Sequence, residues 1–104
     1  MPANVQLARQ QWEEGHRQFR ELAREPRRAE QLHALVDLLT ERLRRRVGST
    51  FTLQELADSY QTAERWAHDT LAEQAERPGW PSMVVTALDA AFHLYARGAR
   101  DYAP

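Results

Sequence analysis

Glu13 and His16 stand one helical turn apart, as do Glu30 and His33. Glu-x-x-His on each of two helices is the spacing with which helical bundles hold a pair of carboxylate-bridged metal ions. Such a box must point into the core, and the phase here is wrong for that. Glu13 and His16 flank a Trp12/Gly15 stripe, Glu30 and His33 flank an Ala29/Leu32 stripe, and the last helical segment offers only Asp89 where a bridging glutamate is needed. No metal site is therefore expected. Glu64 with His68, and Asp89 with His93, read as ordinary one-turn acid/histidine pairs, worth about 0.2–0.5 kcal/mol each. The absence of cysteine removes thiolate ligands, thiol nucleophiles and disulfides, which fits a reducing compartment. There is no glycine-rich phosphate loop, and Ser49, Ser59 and Ser82 lack a nucleophile-elbow context. No catalytic residue and no cofactor are expected, and the chain reads as a non-enzyme.

The second chemistry-bearing feature is the arginine cluster of Arg42, Arg44, Arg45 and Arg46. Guanidinium groups bind phosphates in a bidentate fashion, so the cluster offers a nucleic-acid contact. Against that, 14 basic and 15 acidic residues leave a formal net charge of −1, with no global field to attract a polyanion. The cluster also falls where a helix ends, and positive charge there complements the helix dipole. Every basic side chain is arginine, isoleucine is absent and Asn4 is the one asparagine, a bias that points to a GC-rich bacterial genome and supplies arginine without a functional demand. Downstream, "LQELADSY" followed by a helix from Thr62 could form a DNA-reading helix-turn-helix. That turn would fall on Gln61 without a glycine, and the reading face of Gln61, Thr62, Glu64, Arg65, His68 and Asp69 carries two carboxylates. One continuous helix is the expectation.

The elements that would position these groups are all helical. "REPRR" at Pro26, "VGSTF" at Gly48 and "RPGWP" from Arg77 to Pro81 divide the chain into helices at about 5–23, 26–47, 53–76 and 81–97, with no alternating strand pattern. Pro26 suits a first helical position and Gly48 a left-handed cap. Thr52 and Glu55 make a capping box, with Phe51 and Leu56 as its hydrophobic staple. Val84, Ala87, Leu88, Ala91, Phe92 and Tyr95 form the widest apolar stripe, marking the most buried helix. Short linkers predict an all-α single domain over 1–104, an antiparallel up-down four-helix bundle. Its first helix has the narrowest stripe, with Ala8 and Gly15 where a core wants bulk, and is expected to dock loosely. Trp12 and Phe19 bracket Gly15 as aromatic anchors for another helix, unless Gly15 makes room for a bulky neighbour such as Trp66. Trp80, between Gly79 and Pro81, is either a plug or an exposed anchor. The expected partner-binding set is Trp12, Gly15, Phe19, Arg44, Arg45, Arg46 and Trp80.

The run "LRRRVGSTFTLQELADSYQTAERWA", with "LDAAFHLYARGARDY" later, resembles small uncharacterised helical proteins of actinobacteria. The resemblance covers the second half of the chain and implies a bacterial source and no activity. The N-terminal stretch has no apolar leader-like core, and the apolar run from Met83 to Leu88 stops at Asp89, far short of a membrane span. The reading is a cytoplasmic protein-interaction module, an adaptor or small regulator of a larger machine, that binds a protein partner or itself and does not engage a membrane. The alternatives are a nucleic-acid-binding transcriptional regulator and, more remotely, a metal-dependent helical-bundle enzyme.

Overall fold

Asn4 accepts a hydrogen bond from the Leu7 N–H at 3.1 Å, and this side-chain cap starts α1, Val5–Leu22. After a short turn, Pro26 opens α2, Pro26–Val47, as its first residue, where a missing N–H costs nothing. Thr52 opens α3, Leu53–Asp58; its hydroxyl accepts from the Glu55 N–H at 3.1 Å while the Glu55 carboxylate accepts from the Thr52 N–H at 3.3 Å, closing the capping box. α4, Tyr60–Thr70, and α5, Trp80–Ala96, follow. The computed structural model describes residues 2–70 and 80–103, without the side chains of 70 and 80–82, and no strand occurs among them. Residues 71–76 of the expected third helix lie outside the described residues.

Among the described residues five helices therefore stand where four are expected, because the third segment breaks at Ser59. Its hydroxyl donates to the Leu56 carbonyl at 2.7 Å and its N–H donates to the same carbonyl at 3.1 Å, so the i→i−4 ladder is interrupted for one residue. Ser59 keeps right-handed helical backbone angles (φ −84°, ψ −9°), so the break is a one-residue kink and not the open turn of a helix-turn-helix. Gly48 also departs from expectation in detail. Its φ of 81° is positive but its ψ of −168° lies in the mirror-extended region, which glycine alone adopts freely, and not in the left-handed helical well.

The centre of the molecule is α5, which packs against all four other helices. Of the residues from Val84 to Phe92, Val85 alone is not fully buried. A helix that is apolar nearly all round must be enclosed, so α5 is a hub and not one of four equivalent bundle members. α1 runs antiparallel to it: Trp12 meets Phe92, with ring centroids 5.3 Å apart, and Gly15 meets Asp89 one turn along. Trp12, at 1% exposure, Gly15 and Phe19 are buried in this contact. The expectation of a loosely docked first helix is corrected here. The narrow stripe reflects a close approach of two backbones, because a Cβ built on Gly15 would lie 2.2 Å from the Asp89 Cβ. Trp66 is not the neighbour that Gly15 accommodates; it lies under the Arg42 guanidinium, 4.8 Å from its ring centre.

One end of the molecule is closed by the segment after α5. The Arg100 N–H donates to the Phe51 carbonyl at 2.9 Å, Asp101 accepts from the Leu53 N–H at 2.8 Å, and the Tyr95 hydroxyl donates to the Gly48 carbonyl. Phe51 is buried against Tyr95, their rings 4.9 Å apart.

Two stability predictions follow from this geometry. Thr52→Ala removes one arm of the capping box and should cost about 1 kcal/mol in denaturant melts. Gly15→Ala gains about 1 kcal/mol of helix propensity, yet it forces α1 away from α5. Overpacking of this kind costs about 1–3 kcal/mol or more, so the variant should melt earlier than the parent. A Gly15→Ala protein more stable than the parent would show that the helices do not touch there.

Candidate functional site

Asp89 is the one acidic residue of α5 and is buried, at 7% exposure. Such a group must be paired, and two elements supply the partners. The kink at Ser59 makes Tyr60 the first residue of α4, and its hydroxyl donates to Asp89 Oδ1 at 2.6 Å; Gln11 of α1 donates its side-chain N–H to the same oxygen at 3.2 Å. Three helices thus share one buried acid. Burial, outweighing the hydrogen bonds from Tyr60 and Gln11, pushes the Asp89 carboxyl above its ordinary value. Burial and the neighbouring carboxylate push the Tyr60 hydroxyl upward as well, so Tyr60 remains a donor. The Tyr60 ring stands edge-on to Phe92, with centroids 5.0 Å apart.

Beside this trio an open cleft of about 640 Å³ runs between the start of α1 and the α3/α4 kink. Ala8, Trp12, Ala57 and Tyr60 contribute apolar surface to it; Asn4, Gln11, Asp58 and Gln61 contribute polar groups. Leu7, on its wall, is 63% exposed. The extended segment before α1 is pinned across the cleft, since the Ala3 N–H donates to Asp58 at 2.8 Å and the Ala3 carbonyl accepts from Gln54 at 2.8 Å.

A second cleft, of about 500 Å³, opens on the α1/α5 seam. In it the imidazoles of His16 and His93 stack with centroids 4.6 Å apart and planes 21° from parallel. Burial, then the neighbouring His93 and Arg20, holds His16 below the ordinary imidazole value; burial, then Arg97, does the same to His93. The partner of His93 is thus a histidine on another helix. Asp89, expected to pair with it, is bonded to Tyr60 and Gln11 instead.

The residues singled out from sequence are not brought together. Trp12, Gly15 and Phe19 lie in the chain's own core and present no anchor to a partner while α5 is in place. Arg44, Arg45 and Arg46 are exposed on the last turn of α2, and Arg44 and Arg45 both reach Glu41, at 3.2 and 3.6 Å, which neutralises part of the cluster. Trp80 is the first residue of α5, and its side chain lies outside the described residues. Among the described residues no group of three or more histidine and carboxylate side chains is arranged to hold a metal ion. Sequence reasoning missed the roles of Asp89, Tyr60 and Gln11, although a lone acid within the apolar run Val84–Phe92 was the available signal. No protein-family model, curated protein or solved structure matches this chain.

The two clusters bias stability in opposite directions with pH. Histidines whose folded value is depressed leave the unfolded chain binding more protons, so stability is full above the unfolded value of 6.5 and is lost as pH falls below it. For Asp89 the folded value is raised, so its share of stability is full below the unfolded value of 3.8 and is lost as pH rises through the folded one. Asp89→Asn abolishes that second loss. Its stability relative to the parent should therefore improve between acidic and neutral pH, as read by paired denaturant melts; a relative decline over that interval would mean that the carboxyl is held below its ordinary value.

Proposed function

We propose that this chain is a non-enzymatic helical interaction module, an adaptor or small regulator of a larger machine in the bacterial cytoplasm, with its helices antiparallel around α5. The observation that carries this reading is Leu7. A lone exposed leucine is ordinary on a protein surface, as Leu38 and Leu94 are here, and it is the cleft around Leu7 that gives this one weight. Here the leucine stands on the wall of a cleft that mixes apolar surface with polar groups, of which Asp58 is charged, the composition of an interface centre and its surround. The cleft is bounded by helices on two sides and pinned by Ala3 at its edge, so it is presented ready-shaped, which spares a partner part of the ordering cost of binding. An amphipathic helix or an apolar loop of a protein partner is the fitting occupant.

Among the described residues no helix is long and apolar enough to cross a bilayer. The part of the earlier partner-binding set that remains exposed, Arg44 to Arg46, lies on a different face, at the end of α2.

The test is comparative capture from the source organism with the parent and with Leu7→Glu. A partner that co-purifies with the parent should be lost from the variant, whose melting temperature should stay within error because Leu7 is already exposed. Equal recovery of the same partner by both proteins would remove this cleft from the interface.

A further inference from the structure

We propose that the cleft between α1 and α5 binds a phosphate group, held by Arg20 and Arg97 over the stacked pair His16 and His93. Four observations carry the assignment. Arg20 and Arg97 form no ion pair among the described residues, whereas Arg17, which lines the same cleft, is engaged by Glu14. The two guanidinium groups come from different elements, Arg20 from α1 and Arg97 from the turn after α5, so they enter the cleft from two sides. Each offers a planar fork of N–H donors suited to an oxyanion, and two forks with two imidazoles exceed what the two oxygens of a carboxylate can accept, while a tetrahedral phosphate has oxygens for all of them. Finally, stacking occupies the faces of the imidazoles and leaves their N–H edges for a ligand.

The local electrostatics favour the same ligand. His16 feels the positive charges of His93, Arg20 and Arg97, and His93 those of Arg97 and Arg9. A dianion placed among these groups offsets their mutual repulsion and lets the imidazoles take up protons. The opposing charges are Glu13 and Glu14, both of which line the cleft; Glu13 acts on His93 in the other sense, and Glu14 is taken up by Arg17. On the remaining sides Phe19 stacks on His16 at 6.2 Å, with His33 of α2 edge-on behind it, and Asp89 is turned to Tyr60 and Gln11. Binding of an anion whose charge stays fixed therefore strengthens as pH falls through the imidazole range.

The site is separate from the Leu7 cleft, so Leu7→Glu should leave phosphate binding unchanged and the two readings can fail independently. The experiment follows the ring resonances of the four histidines by NMR during titration of the full chain with inorganic phosphate and, separately, with phosphoserine. His16 and His93 should shift and saturate while His33 and His68 stay still. Equal affinity for both probes assigns the free anion as ligand, and tighter binding of phosphoserine assigns a phosphate carried on a larger molecule. Arg20→Gln and Arg97→Gln, both exposed and safe for folding, should each weaken binding about tenfold, the loss of roughly one charge-assisted contact. Glu13→Gln should tighten it. Sulfate, which stays dianionic across the range, should bind more tightly at pH 6 than at pH 8, showing that the protons go to the protein. No saturable shift with either probe, or shifts that persist undiminished in Arg20→Gln and Arg97→Gln, would overturn the assignment.

Discussion

The close approach of α1 to α5 at Gly15 and Asp89 is the constraint on which the remaining structure depends. A glycine is needed because any Cβ would fall 2.2 Å from the Asp89 Cβ, and its cost to helix propensity is offset by the burial of Trp12 and Phe19 that the short separation permits. With α1 seated this deeply, Asp89 is cut off from water and must find donors inside the protein. Gln11 is available one turn before Gly15 on the same helix. The second donor has to come from elsewhere, and the kink at Ser59 brings Tyr60 to it. A backbone break, a buried acid and a glycine are in this way parts of one arrangement.

That arrangement divides the surface along α1 into two regions of different chemistry. Toward its start, the helix and the α3/α4 kink leave a cleft with Leu7 and the Asp58 carboxylate in its lining; further along, the same helix and the end of α5 leave a more highly charged cleft with two stacked imidazoles and two guanidinium groups, Arg20 and Arg97, that form no ion pair among the described residues. Gln11, Tyr60 and the buried Asp89 tie together α1, which lines both clefts, α4, which lines the first, and α5, which lines the second. Neither cleft contains the arginine cluster at the end of α2, whose charge is partly satisfied by Glu41 through i,i+3 and i,i+4 pairs of the kind that stabilise exposed helix ends modestly.

The far end of the molecule is closed by a different device. α3 has only six residues, too few to persist alone, and it is held by two independent caps, the Thr52/Glu55 box and the Asp101 carboxylate on the Leu53 N–H. Phe51 between them packs on Tyr95, whose hydroxyl satisfies the carbonyl of Gly48 at the one positive-φ position among the described residues.

What the sequence by itself determined is what depends on near neighbours along the chain. The helical class follows from apolar residues at spacings of three and four, the entry to α2 from Pro26, its exit from Gly48, and the start of α3 from Thr52 and Glu55, because caps and periodicity act within a few residues. The apolar run of α5 also announced a deeply buried helix. The tertiary structure decided everything that pairs distant residues: that Gly15 faces Asp89, that His93 stacks on His16 and not against Asp89, and that Trp12 and Phe19 serve the chain's own core. One apolar stripe is equally suited to a partner and to the protein's own interior, and only the packing of α5 chooses between them. The break at Ser59 lies between these cases. Its hydroxyl bonds locally to Leu56, but an uninterrupted apolar period from Leu53 to Ala67 concealed it, and the position of Tyr60 beside a buried acid is what the kink serves.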